Sequence, residues 1–170
     1  VGRFVDEKNI IPMAKIFIDS KIQLDLIGEG ECLPDLINLR DNHNANINII
    51  GPVINSSLAE YYRKYKIFIL LSKYEGHPKS LLEAMSTGLI PIGLKTQGIK
   101  ELISHNKNGF LVDSISKEVV SLARLILSKD FDGLTINARK RVLNCCSKST
   151  IFKEELVTYN KLMGRGDFLE

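Results

Sequence analysis

Paired cysteines are missing from this sequence: Cys32, Cys145 and Cys146 are an odd number, with neither a disulfide framework nor a metal-ligand spacing. That argues against a disulfide-stapled secreted scaffold and fits a reducing, cytoplasmic setting. Long apolar runs are also lacking. None approaches the ~20 residues that span a bilayer, and the basic, apolar, small-residue order of a signal peptide is absent. Any membrane contact would be peripheral. There is little excess charge: 23 Lys plus Arg against 20 Asp plus Glu leave +3, too small a surplus for a nucleic-acid surface. His43, His77 and His105 are scattered, with no His-x-x-x-His or Cys-x-x-Cys, which leaves a zinc site without support. No Walker A sequence occurs, and Gly28-Glu29-Gly30 lacks the later glycine and following acid of a dinucleotide fingerprint.

What is present is enough for one ordinary core: 170 residues, 44% of them hydrophobic. The apolar pattern alternates between strand and helix periods. A strand ends before Gly2. Pro12 suits the first turn of a helix carrying Ile16 and Phe17. Strands are predicted at 22–27, 47–50, 67–71, 90–92 and 109–112. Between and after them, helical spacing joins Leu33 to Arg40, Leu58 to Tyr65, Leu81 to Thr87, Gly98 to Ser104 and Ser116 to Ser128. Two terminal helices follow. Leu134, Ala138, Val142 and Cys145 form one packing face, and Phe152, Leu156, Tyr159 and Met163 form another. The near-continuous apolar run at 67–71 reads as a central parallel strand covered on both faces. Strands alternating with helices imply parallel pairing through crossovers, hence a three-layer Rossmann-like α/β domain with a parallel sheet. Its pocket would lie at the carboxyl ends of the strands, where the loops after Val1, Ile27, Ile50, Leu71 and Ile92 gather. The polar stretch at 42–48 reads as a solvated turn, and there are no internal repeats.

The informative segment runs from Ser72 to Gly88. It places Glu75 on a loop after a buried strand, then a helix start near Lys79, then Glu83 about one turn inside that helix. A helix start offers free backbone N–H groups and the positive end of a dipole, which suit phosphate oxygens. Each carboxylate can accept hydrogen bonds from hydroxyls. The set fits a ligand with phosphate in the middle and a polyol at either end.

In these residues the chain resembles the carboxy-terminal, donor-binding domain of a large family: the retaining, two-Rossmann-domain (GT-B) glycosyltransferases of family 4, glycosyl transferases group 1. The marks are Gly2-Arg3 with Lys8, Ile27-Gly28-Glu29-Gly30, Gly51-Pro52-Val53, and Ser72 with Glu75-Gly76 followed seven residues later by Glu83-Ala84-Met85. Gly88-Leu89-Ile90-Pro91 and Asn108-Gly109-Phe110-Leu111-Val112 complete the set, so the resemblance covers nearly the whole chain. It implies that Arg3 and Lys8 contact the donor diphosphate and neutralise charge on the leaving nucleotide. Glu75 would face the donor sugar and Glu83 would hold ribose hydroxyls. Gly2 would belong to the same site. Backbone at Gly51, Pro52 and Val53 would meet the base, and Gly76, His77, Pro78, Lys79, Ser80 and Leu81 would meet sugar or phosphate. His77 and Lys79 also read simply as loop residues. At Lys95-Thr96-Gln97-Gly98 the sequence departs from the family pattern, with Gln97 where many members have glycine.

The resemblance further implies no cofactor and no essential metal, since the nucleotide diphosphate-sugar is a substrate. The expected partners are that donor, an amino-terminal domain of the same protein, and a glycan or lipid-linked acceptor at the inner face of the cytoplasmic membrane. The sequence opens in Val1-Gly2-Arg3 without an initiator Met, which favours a piece of a longer protein. Residues 1–170 are read as one domain, with the region 149–170 leading back towards an interdomain cleft, and alone it would bind donor without completing transfer. Two other functions use a similar pocket: a non-catalytic nucleotide-sugar-binding or regulatory module, and a sugar-nucleotide epimerase of related fold.

Overall fold

A computed structural model describes residues 1–163. Five short strands alternate with helices: β1 (Leu24–Ile27), β2 (Ile47–Ile50), β3 (Ile67–Leu70), β4 (Ile90–Leu94) and β5 (Phe110–Val112). The helices are α1 (Ile10–Phe17), α2 (Leu33–Asn42), α3 (Asn55–Tyr62), α4 (Lys79–Ser86), α5 (Gln97–Lys100), α6 (Lys117–Ser128), α7 (Asp132–Cys146) and α8 (Lys148–Leu162). All pairing is parallel. Chemistry sets several boundaries. Ser116 caps α6 by accepting from the Glu118 N–H. β4 runs on to Leu94, longer than expected, because the Lys95 N–H continues the ladder to the Val112 carbonyl.

The helices fall on two faces. Phe4, α1, α2 and α6 close one core with Met13, Phe17, Leu36, Val119 and Ile126. On the other face, α3, α4, α5 and α7 bury Tyr62, Leu81, Met85, Ile99 and Val142. β3 serves both: Phe68 and Leu70 enter the second core while Ile67 and Ile69 pack on the first. This is the three-layer α/β arrangement expected of its apolar run.

In one respect the sheet differs from the expectation. It is two sheets, β1-β2 and β3-β4-β5, and β1 and β3 are not paired. A cavity separates their facing edges, with Met13, Phe17, Tyr62 and Leu89 among its walls. Of the strand expected to end before Gly2, this sequence holds only the end. Its last rungs are nevertheless present: the Gly2 and Phe4 N–H groups donate to the Ile27 and Glu29 carbonyls at 2.9 and 2.7 Å, the two-residue step of a parallel ladder. Gly28 and Gly30 permit this approach, with φ of +141° and +153°. A Cβ at Gly28 would lie 1.9 Å from the Gly2 carbonyl oxygen, and one at Gly30 would lie 2.5 Å from that of Phe4.

The terminal helices also part company. Leu134, Ala138 and Val142 bury the α7 face as expected. The α8 face expected to pack does not: Phe152 and Tyr159 are 65% and 54% exposed, and no residue of α8 is buried. Within this chain α8 packs on α7. The segment beyond Gly164, expected to lead towards another domain, lies outside the described residues. Among the described residues no helix is long and apolar enough to cross a membrane.

Candidate functional site

The segment at 1–9 ties the carboxyl ends of the two sheets together. After its rungs to β1, the chain makes a 3-10 turn at Asp6–Lys8, closed by Asn9 in the left-handed region at φ 52°. Asparagine tolerates that conformation better than most residues. The Asn9 side chain is buried and its Nδ2 donates to the Leu71 carbonyl at 2.7 Å, at the end of β3. The Lys73 N–H donates to the Glu7 carbonyl at 2.8 Å, and Lys73 Nζ meets Asp6 Oδ2 at 2.5 Å. These bonds seat the turn against the loop after β3.

Lys8 and Glu75 meet there. Lys8 Nζ lies 2.5 Å from Glu75 Oε1, and the Glu75 side chain is only 9% exposed. Sequence reasoning placed a cation and an acid at one pocket, and the structure puts them in contact. Gly98 supports the same loop from behind: a Cβ there would lie 2.4 Å from the Glu75 carbonyl oxygen and 2.5 Å from that of Gly76. Close contact of this kind explains why a glycine stands at 98 although the neighbouring Gln97 departs from the family pattern.

On the far side of the loop, α4 starts at Lys79 as expected, with Pro78 at its N-cap and no side chain capping it. Ser80 is half-buried and Lys79 exposed. Leu81 offers no free amide here. Its side chain is fully buried in the second core, and its N–H already donates to the Pro78 carbonyl at 3.1 Å. The amides left at this helix start are those of Lys79 and Ser80. The Gly2 N–H is likewise taken, donating to the Ile27 carbonyl. Gly76 and His77 are exposed on the loop, and Gly51 and Pro52 are exposed beyond β2, with Val53 half-buried beside them. Arg3 is exposed and makes no ion pair among the described residues.

Glu83, half-buried one turn into α4, carries a partner that sequence reasoning missed. The Tyr62 hydroxyl, on the last residue of α3, donates to Glu83 Oε2 at 3.1 Å. Burial, followed by the Glu83 charge, holds the Tyr62 phenol well above the usual tyrosine range. The assembled site has a cation and an acid in contact, an uncapped helix start, and a second acid anchored from the core.

A description of one family, glycosyl transferases group 1, matches residues 1–141. The chain belongs to this family. Among relatives of the glycosyl transferase, an Escherichia coli UDP-Gal:alpha-D-GlcNAc-diphosphoundecaprenol alpha-1,3-galactosyltransferase is 26% identical over 149 residues, covering 84% of this chain and 36% of that protein. The chain thus spans about a third of the length of such relatives. Two solved structures share the fold. Anabaena Alr3699/HepE in complex with UDP and glucose superposes with a TM-score of 0.84 at 16% identity, covering 94% of this chain and 47% of that one. The C-terminal domain of a glycosyl transferase group 1 family protein (LpcC) from Francisella tularensis gives 0.75 at 22% identity, covering 87% and 84%. This glycosyl transferase domain is therefore a Rossmann-like α/β unit of the kind that forms the carboxy-terminal half of GT-B enzymes.

Proposed function

We propose that this glycosyl transferase domain is the donor-binding half of a retaining, family 4 enzyme that moves a sugar from a nucleotide diphosphate-sugar to a glycan or lipid-linked acceptor. The observation that carries this reading is the uncapped start of α4, with Glu75 on the preceding loop in contact with Lys8 of the 3-10 turn and Glu83 one turn inside the helix. The diphosphate would take the Lys79 and Ser80 amides and the cations Lys8 and Arg3. Those charges would stabilise the departing nucleoside diphosphate, which is their catalytic contribution. Glu75 would face the sugar, Glu83 the ribose, and the backbone from Gly51 to Val53 the base. The Escherichia coli relative is named for UDP-Gal and an alpha-D-GlcNAc-diphosphoundecaprenol, which supports a lipid-linked acceptor.

Acceptor binding and closure would belong to a second domain of the same protein. In such enzymes closure orients the reactants and excludes water, so this domain alone holds donor without transferring sugar. The test is calorimetric titration of UDP, GDP and ADP against their nucleosides. At least one diphosphate should bind more tightly than its nucleoside. Equal affinity for every pair would remove the phosphate site and the reading with it.

A further inference from the structure

We propose that Tyr62 is a positioning residue for the nucleotide site: it fixes the Glu83 carboxylate so that one oxygen is presented to the ribose. The inference rests on the donor-site reading of Glu83 and adds a residue to it. Glutamate has three side-chain torsions, and one standing a single turn inside a helix would ordinarily sample many rotamers. Here one carboxylate oxygen is spoken for. The Tyr62 hydroxyl donates to Oε2 at 3.1 Å, and among the described residues Oε1 has no hydrogen-bond partner.

The tyrosine itself has little freedom. It is 3% exposed, closes α3 and packs in the second core, with its ring edge-on to Phe68 at 6.0 Å and 72°. The position of its hydroxyl is thus set by the core and not by solvent. Burial and the Glu83 charge disfavour the phenolate, so the group stays a donor across the physiological range. A donor that cannot ionise, held by a rigid aromatic, orients an acceptor without competing for its charge. The free oxygen retains lone pairs for a hydroxyl of the ligand. The geometry also links two expected ligand contacts. α3 begins just after Gly51, Pro52 and Val53 and ends on Tyr62, so a single helix joins the base-side loop to the ribose-side acid.

Tyr62→Phe keeps the ring and removes only the hydroxyl. The test uses whichever of UDP, GDP and ADP binds best, together with its 2′,3′-dideoxy analogue, on wild type, Tyr62→Phe, Glu83→Gln and the double variant. Thermal unfolding is followed in parallel. Wild type should prefer the ribonucleotide. Tyr62→Phe should lose roughly threefold to tenfold in affinity for it, the scale of freeing one rotamer-rich side chain, while its affinity for the dideoxy analogue is unchanged. In the Glu83→Gln background the Tyr62→Phe effect should be smaller, because one residue acts through the other. Equal binding of the two ligands by wild type would overturn the ribose reading of Glu83 itself. A wild-type preference retained in full by Tyr62→Phe, or an equal loss for both ligands, would leave that reading standing and overturn the role of Tyr62.

Discussion

Lys8 and Glu75 spend the ligand-free state on each other. Their contact is largely sheltered from water, so the attraction is only partly screened. A diphosphate arriving at Lys8 must compete with this carboxylate, whereas a sugar hydroxyl arriving at Glu75 would gain a charge-assisted bond. Glu75 should therefore oppose the nucleotide end of a donor and favour its sugar end. In Glu75→Gln, affinity for the bare nucleoside diphosphate should rise by roughly threefold or more, since even an exposed pair is worth up to about 1 kcal/mol. The extra affinity of the sugar-bearing nucleotide over the bare one should fall. Calorimetry with both ligands reads the two effects separately. A drop in affinity for the bare diphosphate would show that Glu75 helps Lys8 and does not restrain it.

Strands β1 and β3 carry the unusual feature among the elements. The Leu24 and Gly28 N–H groups donate to the Asn46 and Ile50 carbonyls of the β2 region, which sets the parity of β1: Leu26 also faces β2, while Asp25 and Ile27 face the cavity. By the same reasoning the Ile90 N–H to the Lys66 carbonyl turns Phe68 towards β4 and Ile67 and Ile69 towards the cavity. On these edges the Ile27 carbonyl accepts from the Gly2 N–H, while the N–H groups of Asp25, Ile27, Ile67 and Ile69 lack a ladder partner among the described residues. In the polypeptide of residues 1–170 taken alone, amide exchange followed by nuclear magnetic resonance should alternate along both strands, with Asp25, Ile27, Ile67 and Ile69 faster than Leu26 and Phe68 by about tenfold or more. Uniform protection would mean that β1 and β3 meet in solution.

For the whole molecule, the asymmetry between α7 and α8 decides what the domain can hold on its own. α7 closes the second core through Ala138 and Val142, whereas Phe152, Leu156 and Tyr159 of α8 stay exposed. Leu134→Ala should cost about 2 to 5 kcal/mol, the range for a buried leucine. Phe152→Ser should change stability by less than about 0.5 kcal/mol, as a surface substitution does. Thermal or urea unfolding of the two variants makes the comparison. A large loss from Phe152→Ser would show that α8 is part of the core. An uncovered apolar helix face at the end of a donor-binding domain agrees with the proposal that a second domain completes the enzyme.

The sequence by itself determined the class of fold and the neighbourhood of the candidate site. Period-2 and period-3.6 patterns are local, so the apolar run around β3 and the buried stripes of α6 and α7 were legible one element at a time. The eight-residue step from Glu75 to Glu83 was legible for the same reason, because a loop and the first turn of a helix fix it over a short span. The tertiary structure alone decided which groups pair. Lys8 meets Glu75 across 67 positions, Asn9 reaches Leu71 across 62 and Tyr62 reaches Glu83 across 21. An asparagine and a tyrosine carry no mark of these partners in their own neighbourhoods. The buried Leu81 and the occupied Gly2 N–H were hidden in the same way: whether a backbone amide is free depends on which carbonyl the fold brings to it. The exposed face of α8 reads like any other amphipathic helix, since periodicity says that a face is apolar and only packing says what covers it.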